Sequence, residues 1–144
     1  MEQLCLENQL CFKFYAISRK VTDRYRPLLE ELDITYPQYL VMLVLWEEKS
    51  ITVKELGQRL YLDSGTLTPL LKRLEQKALL TRQRDPADER SVIITLSSNG
   101  KKLQQKAKKI PAKVGKCLLL NEREYKQLKA QLDIMLLHLE PETA

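Results

Sequence analysis

The fold of this chain is decided by the stretch LDSGTLTPLLKRLE, which runs from Leu62 to Glu75. Its leucines recur at three- and four-residue spacing, which predicts an amphipathic helix with one apolar stripe. The opposite face begins with small hydroxyl side chains and becomes basic at Lys72 and Arg73. A helix that buries leucines and presents hydroxyls at its N-terminus suits the DNA major groove. Another surface helix could show this pattern by chance, so the neighbouring segments decide.

The preceding segment completes a helix-turn-helix motif. Thr52 and Glu55 have the spacing of a capping box, in which each residue accepts a backbone N–H of the other. This box opens a short helix through about Leu60 and leaves a tight turn near residues 61–62. Two helices joined by such a turn are typical of the motif.

The following segment indicates a wing. Residues 79–84 alternate in a strand-like way, and residues 91–96 are rich in β-branched side chains. The polar, turn-rich segment 85–90 lies between them. The sequence therefore predicts a mainly α-helical fold with a small β wing, a winged helix-turn-helix.

Further helices are predicted on the N-terminal side of the winged motif. Apolar residues recur at helical spacing from about residue 4 to residue 32. Thr35 and Gln38 form a second capping-box signature, and the almost wholly apolar helix that follows runs to about Glu48. We expect this helix to be buried.

On the C-terminal side, Ser97 or Ser98 caps a lysine-rich helix that meets Pro111. Asn121 is the expected start of a last helix through about Leu139.

These elements predict one domain over residues 1–144, with a winged DNA-binding region at about 35–96. The end segments, about 1–34 and 97–144, carry more apolar residues than so small a core could hide. We expect them to be dimerisation helices of a homodimer, which presents two recognition helices to two half-sites.

Composition limits the classes of partner. The chain has 144 residues, a formal net charge of +5 and a pI of about 9.1, which suits a polyanion. The longest apolar run, residues 39–46, is too short to span a membrane, so we expect a cytoplasmic protein with no membrane partner. Three cysteines and one histidine at these spacings match no metal site, and no cofactor is expected.

The expected DNA contacts come from the recognition helix and the wing. On the wing, Asp88 precedes Arg90 by two residues and could hold its guanidinium extended toward the minor groove. Taken in isolation, the segment around Arg90 is explained equally well as a solvated surface loop. The adjacent helix-turn-helix favours the interpretation as a DNA contact. The candidate DNA-binding residues are Ser64, Thr66, Thr68, Lys72, Arg73, Arg82, Arg84, Asp88 and Arg90.

Cys11 lies in the first helix among apolar neighbours, where a cysteine is often only a small buried hydrophobe. Four tyrosines within 25 residues suggest a second interpretation. Cys11 and Tyr25 are fourteen residues apart, about 21 Å along a helix, so they meet only if two first helices cross antiparallel in a dimer. Tyr36 could arrive from the same side, and phenol hydroxyls that donate to sulfur would favour a reactive thiolate.

Cys117 precedes the Asn121 cap, in an expected bend after Pro111. It is either an inert packing residue or a resolving thiol for oxidised Cys11, because geometry decides whether a disulfide can form. Cys5, near the N-terminus, is a weaker candidate for a redox-active thiol.

With these features in place, the chain resembles MarR-family winged-helix regulators, and within them the organic hydroperoxide resistance repressor (OhrR-like) branch. The resemblance covers the first helix through the wing and is looser in the C-terminal third. It is carried by four segments: Glu7–Phe12, Ile34–Leu40, Leu62–Glu75 and Asp88–Val92.

The resemblance implies a dimeric repressor that binds a pseudo-palindromic operator in double-stranded DNA and is released by organic hydroperoxide. Cys11 matches the peroxide-reactive cysteine, Tyr25 and Tyr36 match tyrosines that contact it across the dimer, and Tyr15 lines the same pocket. Some members resolve the sulfenic acid with a second C-terminal thiol, here Cys117, and others use a small cellular thiol.

Three other functions stay open. The chain could be a MarR-type regulator released by a non-covalent aromatic ligand, with Cys11 merely lining the pocket. It could be a broader thiol-based global regulator. A thiol peroxidase is disfavoured, because the winged motif would then have no purpose.

Overall fold

The computed structural model describes residues 1–140, so residues 141–144 of the predicted domain lie outside the described part. Contacts divide the chain into two compact units, residues 1–110 and 111–144. The seven α-helices and three strands of the described residues are α1 (Leu10–Glu30), α2 (Tyr36–Glu48), β1 (Ser50–Thr52), α3 (Val53–Leu60), α4 (Ser64–Gln76), β2 (Leu80–Asp85), β3 (Asp88–Leu96), α5 (Ser98–Ala107), α6 (Ile110–Cys117) and α7 (Glu122–Leu139).

The buried helix α2 forms the centre of the first unit. The predicted capping box is present, because Thr35 and Gln38 each accept a backbone N–H of the other. Helix α2 packs against α1, α3, α4 and α5. The indole Nε1–H of Trp46 donates to the Gly100 carbonyl at 2.9 Å, which joins α2 to α5. The side chains with less than 2% exposure are Leu29, Val41, Met42, Leu45, Leu56, Leu67, Leu71, Leu74, Leu80, Ile94 and Ile110.

The predicted helix-turn-helix is confirmed in α3 and α4. The capping box of Thr52 opens α3. The helix ends at Tyr61, whose φ of 55° places it in the left-handed region. The Leu62 N–H then donates to the Gly57 carbonyl at 3.0 Å. This turn is closed so tightly that a Cβ on Gly57 would lie 2.6 Å from the Leu62 carbonyl oxygen.

The wing is a three-stranded antiparallel sheet in the order β1-β3-β2. The predicted strands are present, but the predicted loop 85–90 is shorter, because Asp85 pairs with Asp88 and only two residues separate the strands. Pairing across the hairpin overrides the poor strand preference of acidic residues. The short strand β1 was not predicted; Ser50 and Thr52 pair with β3 at Thr95 and Ile93.

The first helix begins later than the sequence predicts, at Leu10 instead of about residue 4. Residues 2–4 and 6–8 form two short 3₁₀ turns. The amide of Asn8 donates to the Glu2 carbonyl, and that of Gln9 donates to the Gln3 carbonyl. Side chains that bond backbone groups in this way compete with an α-helix.

The second unit contains most of α6 and all of α7. The sequence places Pro111 at the end of a lysine-rich helix, but α5 ends at Ala107 and Pro111 is the second residue of α6. The first turn tolerates proline, since its N–H has no partner there. The predicted start of the last helix at Asn121 is confirmed, and Asn121 and Glu124 form a capping box at the start of α7.

Helix α7 exposes many apolar side chains, among them Leu128, Leu132, Met135, Leu136 and Leu139. None of the helices formed by residues 1–140 is both long and apolar enough to cross a membrane.

Replacing Gly57 with alanine should destabilise the protein by about 1–3 kcal/mol, because the new Cβ would collide with a backbone carbonyl that cannot move freely. The matched control is Gly115→Ala in α6, where a Cβ meets no atom within 4 Å. There alanine should stabilise by about 0.5–1 kcal/mol. Urea denaturation followed by circular dichroism measures both, and equal effects at the two positions would contradict the steric argument.

Candidate nucleic-acid interface and sensor cysteine

The N-terminus of α4 presents a row of hydroxyl groups to solvent. The carboxylate of Asp63 caps the helix by accepting the Thr66 N–H at 2.7 Å. Hydrogen bonds from Thr66 hold the pKa of Asp63 below its usual value. The hydroxyl of Thr68 donates to the Ser64 carbonyl at 2.8 Å, which leaves its lone pairs as acceptors. These hydroxyl groups form a surface suited to phosphate and base edges.

Burial of one face of α4 determines which side chains remain available. Leu67, Leu71 and Leu74 are buried, while Lys72 and Arg73 are exposed on the other side. The basic residues therefore lie on the same exposed helix as the hydroxyls, one to two turns further along.

The wing tip is shaped by two aspartates. The carboxylate of Asp85 accepts the Ala87 N–H at 2.9 Å, and that of Asp88 accepts the Arg90 N–H at 3.0 Å. The expected contact between Asp88 and the guanidinium of Arg90 is thus replaced by one to the backbone. Asp88 sets the path of β3 at the tip, and the Arg90 side chain is exposed.

The two arginines of β2 differ in their exposure to solvent. Arg84 is exposed. Arg82 is half-buried, and its guanidinium forms an ion pair of 2.9 Å with Glu75 of α4. The sequence puts both arginines on one strand face as DNA contacts, but in the structure Arg82 is turned toward the protein.

All three cysteines are free and exposed. Cys11 is the second residue of α1. Cys117 is the last residue of α6, where its Sγ lies 3.4 Å from the Lys113 carbonyl oxygen. The two thiols belong to different compact units of the chain.

Three tyrosines form a cluster where α1 meets the start of α2. The centre of the Tyr25 ring lies 4.8 Å from the centre of the Tyr36 ring and 5.7 Å from the centre of the Tyr39 ring. Burial raises the pKa of Tyr36, and burial together with the neighbouring Tyr36 raises the pKa of Tyr39. Both phenols therefore stay protonated at neutral pH and keep a proton to donate.

Tyr15 lies apart from this cluster. It is exposed and pairs with Arg19, whose guanidinium carbon is 5.5 Å from the ring centre. Cys11 and Tyr25 are separated by fourteen residues of one unbroken helix, about 21 Å. One chain therefore brings Tyr25 and Tyr36 together but does not bring Tyr25 to Cys11.

Three positions of these surfaces were missed by the sequence analysis. Asp63 could have been found as an N-cap, since it directly precedes the helical leucine pattern. The contacts of Tyr39 with Tyr25 and Tyr36 were not predicted. No local signal marks Glu75 as the partner of Arg82. Within residues 1–140, no group of three metal-ligating side chains comes together.

Comparison with known proteins identifies relatives of this chain. Residues 24–107 match the family model described as transcriptional regulator SarA/Rot. The chain is 52% identical over 135 residues to the organic hydroperoxide resistance transcriptional regulator of Bacillus subtilis strain 168. That match covers 94% of this chain and 92% of the relative.

Among solved structures, reduced AbfR bound to DNA is 42% identical, with a TM-score of 0.79, over 97% of this chain and 98% of that one. AbfR is from Staphylococcus epidermidis. Its disulfide-formed state is 41% identical, with a TM-score of 0.64, over 94% and 95% of the two chains. A cysteine-to-serine mutant of MarR from E. coli with operator DNA is 28% identical, with a TM-score of 0.81, over 88% and 93%.

Replacing Asp63 with alanine should lower the thermal midpoint by a few degrees at pH 7, because the Thr66 N–H loses its acceptor. A carboxylate whose pKa is lowered by folding stabilises the protein above its unfolded pKa and loses this effect as the pH falls. The difference between wild type and variant should therefore shrink from about pH 4 downward. Asp63→Asn keeps an acceptor and is the control. A difference that persists unchanged at about pH 2 would argue against the cap.

Proposed function

The chain belongs to the MarR/SarA-type winged-helix transcriptional regulators, and from that premise we propose that it is a homodimeric, redox-sensing repressor whose DNA binding is controlled by Cys11. The observation that carries the proposal is the separation along α1 of an exposed free thiol and a tyrosine cluster. A second copy that crosses α1 antiparallel would bring Cys11 of one chain to Tyr25 and Tyr36 of the other. The relatives that bear the names of a hydroperoxide resistance regulator and a disulfide-forming DNA-binding protein support it.

Dimerisation is supported by the apolar side chains that the single chain leaves in solvent. They include Leu10, Phe14 and Ile17 in α1, together with the leucines of α7. We assign residues 1–34 and the described part of 97–144 to the dimer interface, and residues 35–96 to DNA binding. Burial of such a surface between two copies removes apolar area from water and is the main driving force of association.

The DNA partner is a double-stranded, pseudo-palindromic operator, because a twofold dimer presents two equivalent recognition helices. The hydroxyls of α4 would read base edges and phosphates in the major groove. Lys72, Arg73 and Arg84 would contact phosphates, and Arg90 would reach the minor groove from the wing. We propose that the protein acts in the cytoplasm, where it would meet such DNA.

The proposed sensing step is a two-electron oxidation of sulfur. The Cys11 thiolate attacks the outer oxygen of an organic hydroperoxide and forms an S–O bond while the O–O bond breaks. The leaving alkoxide takes a proton and departs as an alcohol. Cys11 becomes a sulfenic acid, which condenses with a thiol to a disulfide and releases water. That thiol is Cys117 or a small cellular thiol. Reduction by thiols restores Cys11, so peroxide is consumed only stoichiometrically and the protein is not an enzyme.

Oxidation releases DNA because the dimer geometry must match two successive major grooves. A sulfenic acid or disulfide no longer fits among protonated phenols that are held by packing. A small shift of α1 then changes the spacing of the two recognition helices, and both half-sites are lost together.

A second candidate is a regulator released by a non-covalent aromatic ligand. It is favoured by a partly enclosed cavity of about 380 Å³ between α1 and the start of α2, lined by Thr22, Arg26, Leu29, Tyr36 and Pro37 among others. Such a cavity is large enough for a small aromatic acid. This alternative predicts that an aromatic acid releases DNA equally well from the wild-type protein and from Cys11→Ser.

The substitution Cys11→Ser should leave reduced DNA binding intact and abolish its response to peroxide. The measurement is the fluorescence anisotropy of a labelled duplex from upstream of the chain's own gene, before and after one equivalent of cumene hydroperoxide. Oxidised wild type should bind about 5- to 150-fold more weakly than reduced wild type, the usual range of coupling between sites.

The matched controls are Cys5→Ser and Cys117→Ser. Cys5→Ser should respond like wild type. Cys117→Ser should still be oxidised at Cys11. If Cys117 is the thiol that resolves the sulfenic acid, this variant should form no intersubunit disulfide on a non-reducing gel. Peroxide-induced release of Cys11→Ser would show that the signal acts elsewhere.

Truncation of Arg90 to alanine should weaken binding to any duplex and reduce its salt dependence. The slope of log K against log salt concentration should fall by about 0.9 for each phosphate that Arg90 no longer neutralises, or about twice that for a dimer. Arg90→Lys, which keeps the positive charge, is the control and should leave the slope nearly unchanged. An unaltered slope for Arg90→Ala would place the Arg90 side chain away from phosphate.

A further inference from the structure

The carboxylate of Glu75 joins the recognition helix to the wing. Its Oε2 accepts the backbone N–H of Arg82 at 3.0 Å. Its Oε1 accepts two guanidinium N–H groups of the same residue, from Nε at 3.2 Å and from Nη2 at 2.9 Å. Glu75 lies in the last turn of α4 and Arg82 is the third residue of β2. One side chain thus holds both the path of the strand and the direction of its arginine.

The pair is partly shielded from water. The side chains of Arg82 and Glu75 are 27% and 38% exposed. The hydrogen bond from Arg82 is the largest of the effects that lower the pKa of Glu75, so the carboxylate is charged at neutral pH. Other exposed pairs, such as Lys126–Glu122 at 71% and 82% exposure, lack this shielding. Partial burial and several hydrogen bonds are the conditions under which an ion pair holds a fixed geometry.

The connection between α4 and β2 needs such a restraint. It consists of residues 77–79, and Ala78 takes a left-handed conformation with a φ of 57°. The hydroxyl of Ser97 donates to the Ala78 carbonyl at 2.6 Å. This bond restrains the turn, and Glu75 adds a direct link between α4 and β2.

We propose that Glu75 and Arg82 are a positioning pair, which fixes the angle between the recognition helix and the wing and acts on DNA binding without contacting DNA. The inference rests on the proposed DNA binding of α4 and the wing. The recognition helix enters a major groove while the wing tip lies over the neighbouring minor groove, so both contacts form only when the two elements hold a set angle. Three donors of Arg82 are satisfied by Glu75, which directs the guanidinium to the protein.

If Arg82 instead contacted phosphate directly, removal of the Glu75 charge would change DNA affinity in the opposite direction. If Arg82 bound DNA, removal of the Glu75 charge would free the guanidinium and also remove a repulsion from phosphate, so affinity would rise. If the pair positions the wing, the loss of the charge loosens the wing and affinity falls. The sign of the effect separates the two.

The experiment compares Glu75→Gln, Arg82→Ala and the double variant with wild type in the reduced state. Anisotropy is measured with the upstream duplex and with an unrelated duplex of equal length, over a series of salt concentrations. Glu89→Gln, an exposed acid on the wing, is the matched control for the electrostatic effect of removing one negative charge. Circular dichroism and the thermal midpoint show that each variant is folded at the temperature of the binding assay.

We expect Glu75→Gln to weaken binding to the upstream duplex about two- to tenfold, the effect of one lost hydrogen bond of typical net strength. Binding to the unrelated duplex should change less, because it depends less on the angle of the wing. Glu89→Gln should bind as tightly as wild type or tighter. Arg82→Ala should show a similar loss with an unchanged salt slope, and the double variant should be no worse than either single variant, since the pair acts as a unit.

Two results would overturn the inference. One is a Glu75→Gln variant that binds as tightly as wild type or tighter. The other is a salt slope that falls by about 0.9 per phosphate in Arg82→Ala, which would place Arg82 on phosphate. If wild type binds neither duplex at any salt concentration, the proposed DNA-binding function itself fails and this inference fails with it. Wild-type binding with either of the first two results leaves the proposed function standing.

Discussion

The burial of three leucines of α4 is the interaction on which the proposed DNA-binding surface depends. Leu67, Leu71 and Leu74 are at most 1% exposed, and each leucine removed from water contributes about 1.5–3 kcal/mol to folding. Rotation of α4 about its axis would expose them, so the orientation of the helix is fixed by the core beneath it. Burial of the leucines is therefore sufficient to expose the face of α4 that carries the hydroxyl and basic side chains. Capping by Asp63 sets where that face begins.

A second constraint is the length of α1. An unbroken helix of 21 residues is rigid, and it separates Cys11 from the tyrosine cluster by about 21 Å. Under the proposed function, neither Cys11 nor the tyrosine cluster of one chain forms a complete sensor alone, and an antiparallel partner chain would complete two sensors at once. In the proposed mechanism the chemistry at sulfur therefore depends on the same interface that sets the distance between the recognition helices. Oxidation would act on DNA affinity because one interface serves both purposes.

Four acidic residues of the winged region share a use that the net charge of +5 does not reveal. Asp63, Glu75, Asp85 and Asp88 each accept a backbone N–H. They cap the helix, tie it to the wing and shape the wing tip. Because the anions are turned to the backbone, the exposed cations of α4 and the wing meet less competition from them. The proposed DNA-binding surface is thus built with acids as structural elements.

The amino-acid sequence by itself determined the elements and their class. Capping boxes, leucine spacing and β-branched strands are local signals, so α2, α3, α4, α7 and the wing were predicted from them. Local signals failed where partners are distant or compete. The side chains of Asn8 and Gln9 bond the backbone and delay α1, and β1 forms only because β3 lies beside it. Tertiary structure alone decided that Arg82 turns to Glu75 and that Tyr39 joins Tyr25 and Tyr36, since these contacts depend on how separate elements pack and no sequence spacing encodes that packing.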